Sequence, residues 1–182
     1  MSVNAAWLMQ FIIAKLLIFL ITFVSVMKFT LLTVGKTTFP FVEEGLCLYE
    51  KRLGFYINYK RFEIPELKNA KALSVGQIKQ KEGELILKNV KANDTLLLMD
   101  ERGVQYDSIK WAEKVEGYIR SGKDVVFVIG GAYGFSEEVY NRADGLISLS
   151  KMTFSHQIIR VIFLEQLYRA CTIIKGEPYH HK

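Results

Sequence analysis

One stretch of the chain concentrates groups that do proton and anion chemistry. From Ser148 to Arg160 it reads Ser-Leu-Ser-Lys-Met-Thr-Phe-Ser-His-Gln-Ile-Ile-Arg. Residues four apart share one face of a helix, so a helix opening near Gln157 brings His156 and Arg160 together at its start. An imidazole can take a proton, and a neighbouring arginine can steady the negative charge left behind. Glu165, Tyr168 and Arg169 follow on adjacent faces. A basic face bearing an aromatic ring suits an anionic, base-containing partner. The competing reading is structural: His156 caps the helix, Arg160 pairs with a nearby acid, and Tyr168 packs in the core. The crowding of polar groups on one loop and one helix weighs against it.

Two strand ends and the tail offer further candidates. Val125 to Ile129 is an unbroken apolar run leading into Gly130-Gly131-Ala132-Tyr133-Gly134. Glycines at such a turn let backbone approach a ligand closely. The spacing matches neither the Gly-x-Gly-x-x-Gly fingerprint nor a phosphate loop, so on spacing alone a tight strand-to-helix turn is the leading reading. Leu97-Leu98-Met99-Asp100-Glu101-Arg102-Gly103 likewise passes from buried strand to charged turn, where open α/β sheets bind ligands. Asp100 and Glu101 have the makings of a general-base pair. Acids in a solvated turn are common, however, and neither receives a catalytic step. The tail, Gly176-Glu177-Pro178-Tyr179-His180-His181-Lys182, either frays or reaches a partner.

These groups need elements to hold them. Short β-branched runs alternate with helical periods: strand 28–34, helix 40–53, strand 56–64, an exposed amphipathic helix 74–90, strand 94–99, helix 107–121 and strand 124–129. A short helix capped by Ser136, a strand 146–148 and a helix 157–174 complete the series. Continuous apolar strands imply burial on both faces, hence a parallel sheet and one α/β domain with helices on both faces.

The chain has 182 residues and a net charge of +5, with half its residues apolar. That excludes a disordered or collagen-like protein. Cys47 and Cys171 stand far apart, which gives neither a disulfide framework nor a zinc site and points to a reducing compartment. Residues 1–26 hold 20 apolar residues and a single charge, Lys15. That is about the length a bilayer-spanning helix needs, roughly 20 residues. Lys15 lies inside the run rather than before it, so a cleaved secretory signal is a poor fit. The segment is expected to be a start-site artefact upstream of Met27, and a membrane contact arises only if it is translated and inserted. Without it 156 residues remain, and the loss of Lys15 lowers the charge to +4. One domain, 27–182, fits that length.

Taken in order, four motifs from Met27 onward resemble the RlmH-type SPOUT methyltransferases. They are Val128-Ile129-Gly130-Gly131 with Gly134; Leu149-Ser150-Lys151-Met152-Thr153-Phe154 with His156 and Arg160; Glu165-Gln166-Leu167-Tyr168-Arg169-Ala170; and Gly176-Glu177-Pro178-Tyr179-His180. The openings Lys28 to Lys36 and Tyr49 to Leu53 fit the same pattern. The resemblance implies a SPOUT-like parallel sheet with a C-terminal trefoil knot, a cytoplasmic homodimer, and methylation of N3 of a pseudouridine in helix 69 of 23S ribosomal RNA. It implies S-adenosyl-L-methionine as cofactor, held by Met99, Gly130, Leu149, Ser150, Lys151, Met152, Thr153 and Phe154. Catalysis would fall to His156 and Arg160, RNA binding to Tyr168, Arg169, Tyr179 and His180, and no metal is required. Ser155 departs from the pattern, since the family usually carries Pro before the His. The rivals are a membrane-anchored member of the same fold, if residues 1–26 are inserted, and a non-catalytic RNA-binding or ribosome-binding module, because +4 gives only a mild electrostatic footprint.

Overall fold

The computed structural model describes residues 27–180; the apolar segment 1–26 lies outside the described residues. Strands and helices alternate as β1 Lys28–Val34, α1 Pro40–Leu53, β2 Asn58–Ile64, α2 Val75–Lys88, β3 Thr95–Val104, α3 Ser108–Ser121, β4 Val125–Ile129, α4 Glu137–Arg142, β5 Gly145–Ile147 and α5 Ile158–Ile174. Local chemistry sets several of these bounds. Ser74 Oγ accepts from the Gln77 N–H while the Gln77 side chain accepts from the Ser74 N–H, a reciprocal cap that starts α2. The Asp107 carboxylate accepts from the Lys110 N–H to start α3, and Gly122 at φ +68° ends it. β2 begins two residues later than the alternation implied, because the Tyr56 and Ile57 amides both donate back to the Leu53 carbonyl.

All four strand pairings are parallel, in the order β2-β1-β4-β3-β5. Every residue of β4 is buried, and alternation along the strand divides them between two cores. Val125, Phe127 and Ile129 join Phe29, Leu31 and Leu97 beneath α1, α3 and α5. Val126 and Val128 join Leu32, Leu96 and Leu98 beneath α2 and α4. Phe127 anchors the first core, its ring centroid 4.8 Å from that of Phe163 and 5.9 Å from that of Phe29. α2 is the amphipathic helix expected: one face is exposed, while Ile86 joins the second core, Ile78 is buried, and Gly83 packs close to Ser136 and Val139. Among the described residues no helix is long and apolar enough to cross a membrane.

β3 holds the main departure from the expected bounds. It runs to Val104 rather than stopping at Met99, and both Met99 and Val104 pair with Ile147. The residues between them bulge outward and return, and the Val104 carbonyl then accepts from the Ser148 N–H at 3.0 Å. At Gly103 the two chains pass so closely that a Cβ would lie 2.5 Å from the Ile147 nitrogen. Only glycine permits that crossing.

Candidate active site

β3 at Met99, where its bulge begins, and the carboxyl ends of β4 and β5, at Ile129 and Ile147, converge on a cavity of about 670 Å³. Ligands of parallel sheets bind at that edge, where the connecting loops leave a crevice. One wall is the loop after β4. Gly134 sits at φ +79° and its N–H donates to the Gly131 carbonyl, which closes a tight turn. A side chain at Gly130 would meet the Phe135 ring at 3.0 Å, and one at Gly131 would meet the Glu82 carboxylate at 2.6 Å.

The opposite wall is the loop from Ser148 to Ser155, which is held by its own hydroxyls. Ser148 Oγ donates to the Ser150 carbonyl at 2.8 Å, and Ser150 Oγ accepts from the Met152 N–H at 2.9 Å. Ser155 Oγ accepts from the Ile158 N–H, so the residue that departs from the family pattern supplies a polar tie to the first turn of α5. His156 is therefore not needed as a cap, and it lines the exposed mouth of the cavity. Of the residues expected to hold a cofactor, Met99, Gly130, Leu149, Ser150, Met152, Thr153 and Phe154 line the cavity. Lys151 is exposed and stands outside the lining.

Arg160 corrects the spacing argument. The four-residue interval does join it to His156, but through the backbone: Arg160 Nε donates to the His156 carbonyl at 2.9 Å. Its side chain is fully buried and turns away from the cavity, under the end of β1. Nη2 donates to the carbonyls of Val34 and Gly35 at 3.0 and 3.1 Å, and Nη1 donates to Thr37 Oγ1 at 2.9 Å. Glu63 lies 3.5 Å from Nη1. Burial pulls the guanidinium's pKa down and Glu63 opposes the shift. Gln157 completes the clamp, accepting from the Thr38 N–H and donating to the Lys36 carbonyl, both at 2.9 Å. Of the two readings open for Arg160, the acid-paired structural one is what the fold contains. It ties the loop after β1 to the residue that carries the imidazole.

Residues 27–180 match the model of a family described as "Predicted SPOUT methyltransferase". The protein named ribosomal RNA large subunit methyltransferase H from Christiangramia forsetii is 51% identical over 157 residues, 86% of this chain and all of that protein. Its namesake from Flavobacterium johnsoniae is 49% identical, with the same coverage. The chain belongs to the SPOUT methyltransferase family. A solved structure, the SpoU methyltransferase AviRb from Streptomyces viridochromogenes with AdoMet, matches at 13% identity with a TM-score of 0.39, over 81% of this chain and 58% of that one.

This SPOUT methyltransferase carries a second polar group at the far end of α5. Tyr168 lies 4.8 Å from Tyr179 between ring centroids, and Arg169 stands over the Tyr179 ring at 4.8 Å. Tyr179 donates to Glu165 at 3.2 Å, and its hydroxyl is pushed up to about 12 by burial and by contacts with Tyr49 and Glu165. The tail is tied back at Glu177: its N–H donates to the Thr172 carbonyl, and Tyr56 donates to its carboxylate at 2.5 Å. Tyr49, Tyr56 and Arg52 join the group, with Arg52 above both Tyr49 and Tyr168. Sequence reasoning missed these three, since they reach α5 only through the fold. It also missed Lys79, Arg102 and Tyr140 on the cavity wall, which come from three separate elements.

Proposed function

We propose that this chain methylates N3 of a pseudouridine in helix 69 of 23S ribosomal RNA, acting as a cytoplasmic homodimer with a knotted C-terminal region. The coarser activity is that of its relatives: it is an S-adenosylmethionine-dependent methyltransferase of large-subunit ribosomal RNA. The observation that carries the finer reading is the placement of His156 at the mouth of a cavity built from the glycine loop and the Ser148–Ser155 loop.

The cavity's makeup fits the cofactor. Its volume falls in the ordinary range for a small-molecule site, about 300–1,000 Å³. Met99, Leu149 and Phe154 give apolar walls for a purine and a thioether chain, while glycine backbone and the hydroxyls of Ser150 and Thr153 offer hydrogen bonds. Bound there, S-adenosylmethionine supplies an electrophilic methyl group. The N3 imide of the base holds its proton at neutral pH, so transfer requires that proton to leave and the charge on the flanking carbonyls to be steadied. His156 is the group at the mouth that takes or shares the proton. Arg160 acts one step removed as a positioning residue, fixing the His156 carbonyl against the loop after β1. Tyr168, Arg169, Tyr179 and His180 grip RNA at the far end of α5.

Two further parts of the reading have structural support. The double pairing of Ile147 and the close crossing at Gly103, followed by α5 packing against both α1 and α3, support the knot. Phe41 and Leu48, seven residues apart on α1 and 60% and 47% exposed, give an apolar stripe for a second copy. Met27 is proposed as the biological start. Nucleoside mass spectrometry of ribosomal RNA from cells with and without this gene tests the function. N3-methylated pseudouridine should vanish with the gene, and an unchanged nucleoside profile refutes the assignment.

A further inference from the structure

One side chain at the cavity mouth is fixed in place without burying anything. Arg102 lies on the bulge of β3, and its side chain is 62% exposed. Its Nε donates to Asp100 Oδ1 at 3.0 Å and its Nη2 to Oδ2 at 3.4 Å, while its own N–H donates to Oδ1 at 2.9 Å. The guanidinium carbon stands 4.6 Å from the Tyr140 ring centroid. Tyr140 in turn donates its hydroxyl to Asp100 Oδ2 at 2.6 Å. The Asp100 side chain is only 9% exposed, and although burial opposes it, the bonds from Arg102 and Tyr140 hold its carboxyl below the usual range.

An exposed arginine gains little from an ion pair and loses rotamer freedom when held in one pose. Three contacts on so exposed a side chain therefore act on something other than stability. A planar guanidinium bound to a carboxylate along one edge presents its other edge outward. For Arg102 that outer edge includes Nη1, which has no protein partner among the described residues. Arg102 and half-buried Lys79 both line the cavity. The acids beside them are Glu101 and Asp100, and Asp100 is already occupied by Arg102 and Tyr140.

We propose that Arg102, aimed by Asp100 and Tyr140, binds an oxyanion at the mouth of the cofactor cavity. The inference rests on the reading of that cavity as the meeting point of cofactor and RNA. Two sources offer the same chemistry: the carboxylate of the cofactor's methionine portion and a phosphate of the RNA backbone. Asp100 is a positioning residue in this arrangement.

The test uses the full chain with Arg102→Gln, Arg102→Lys and Asp100→Asn, each first checked for an unchanged thermal transition. Calorimetry gives the affinity for S-adenosylmethionine and for methylthioadenosine, which lacks the carboxylate. Binding of a ribosomal RNA fragment is measured across salt concentrations. Arg102→Gln should weaken one ligand about tenfold, with Arg102→Lys recovering only part because it lacks the fork, and Asp100→Asn losing a few-fold on the same ligand. Weaker S-adenosylmethionine binding with methylthioadenosine unchanged supports the carboxylate. A salt slope reduced by about 0.7–0.9 with cofactor binding unchanged supports the phosphate. If neither ligand responds to Arg102→Gln, the inference is overturned. If the wild-type chain binds neither ligand, the cavity reading itself falls and takes the inference with it.

Discussion

Arg160→Met separates holding the site together from doing its chemistry. Methionine follows the arginine stem into the same buried space but leaves the carbonyls of Val34, Gly35 and His156 without their donor. Glu63 is less affected, because it also accepts from the Thr37 hydroxyl at 2.7 Å and the Thr37 N–H at 3.1 Å. The two buried acceptors, Val34 and Gly35, each cost about 1–3 kcal/mol when orphaned and the part-buried His156 carbonyl costs less, and the three share one space, so the terms do not add in full. Breaking a buried charged network in this way costs about 3–5 kcal/mol. For a domain of this size each kcal/mol moves the transition about 2–4 °C, which gives a fall of roughly 10 °C. Circular dichroism at pH 7 reads that shift. Single-turnover methyl transfer on saturating ribosomes, run well below the new transition, reads the chemistry. Cofactor affinity should stay within a few-fold, since Arg160 is not part of the cavity lining, while the rate falls as the His156 backbone loses its tether. A transition within a degree or two of wild type would refute the clamp. A large thermal loss with a full transfer rate would show that the clamp serves the fold alone.

Gly130→Val should abolish S-adenosylmethionine binding by calorimetry while the chain stays folded, because its side chain must displace the Phe135 ring in the cavity wall; normal binding places the cofactor elsewhere. Gly103→Ala should destabilise by several kcal/mol in chemical denaturation, since its methyl group would lie 2.5 Å from the Ile147 backbone, which cannot swing aside as a side chain would. Glu82→Gln should raise the thermal transition at pH 7 but not near pH 4. Burial and Glu66 raise the Glu82 pKa, so its charged form weakens the fold at neutral pH and that weakness disappears once the group is protonated in folded and unfolded chains alike. A chain started at Met27 should dimerise and transfer methyl as the full chain does, checked by light scattering and the single-turnover assay; loss of cofactor binding would count against Met27 as the start.

The parts legible in the sequence are those governed by local pattern. Val125 to Ile129 is apolar at every position, and only a strand covered on both faces buries all five. Ser136 does precede α4, as its type and place imply, but its hydroxyl makes no cap bond; the working caps are Ser74 and Asp107, each bonded three residues on. The β3 extension was not legible, because Asp100 to Gly103 read as a solvated turn and their neighbour Ile147 is more than forty residues on. Arg160 failed for a related reason. Four-residue spacing fixes which residues share a helix face but says nothing of whether that face meets a cavity or a strand end. The residues expected to hold the cofactor, Lys151 excepted, share the lining of one cavity, because loops at strand ends keep their place whatever side chains they carry.

The burial of Arg160 alters what the proposed chemistry asks of the other cations. Removing the N3 proton leaves negative charge on the base carbonyls, and a cation must stand near them. From the proposed catalytic pair only His156 reaches the mouth, and Arg102, held along one edge by Asp100, is the cation that stands beside it with its other edge open. Arg169, whose Nη2 donates to Glu165, stands with Tyr168 and Tyr179 toward the far end of α5; Tyr168 is ten residues on from Ile158, about 15 Å at the helical rise. On the proposed function these groups meet the RNA at a different point from the base that His156 addresses. The contact that docks Glu177 on Tyr56 holds the tail against the domain, so on the proposed function that group grips RNA from a fixed surface rather than from a loose end.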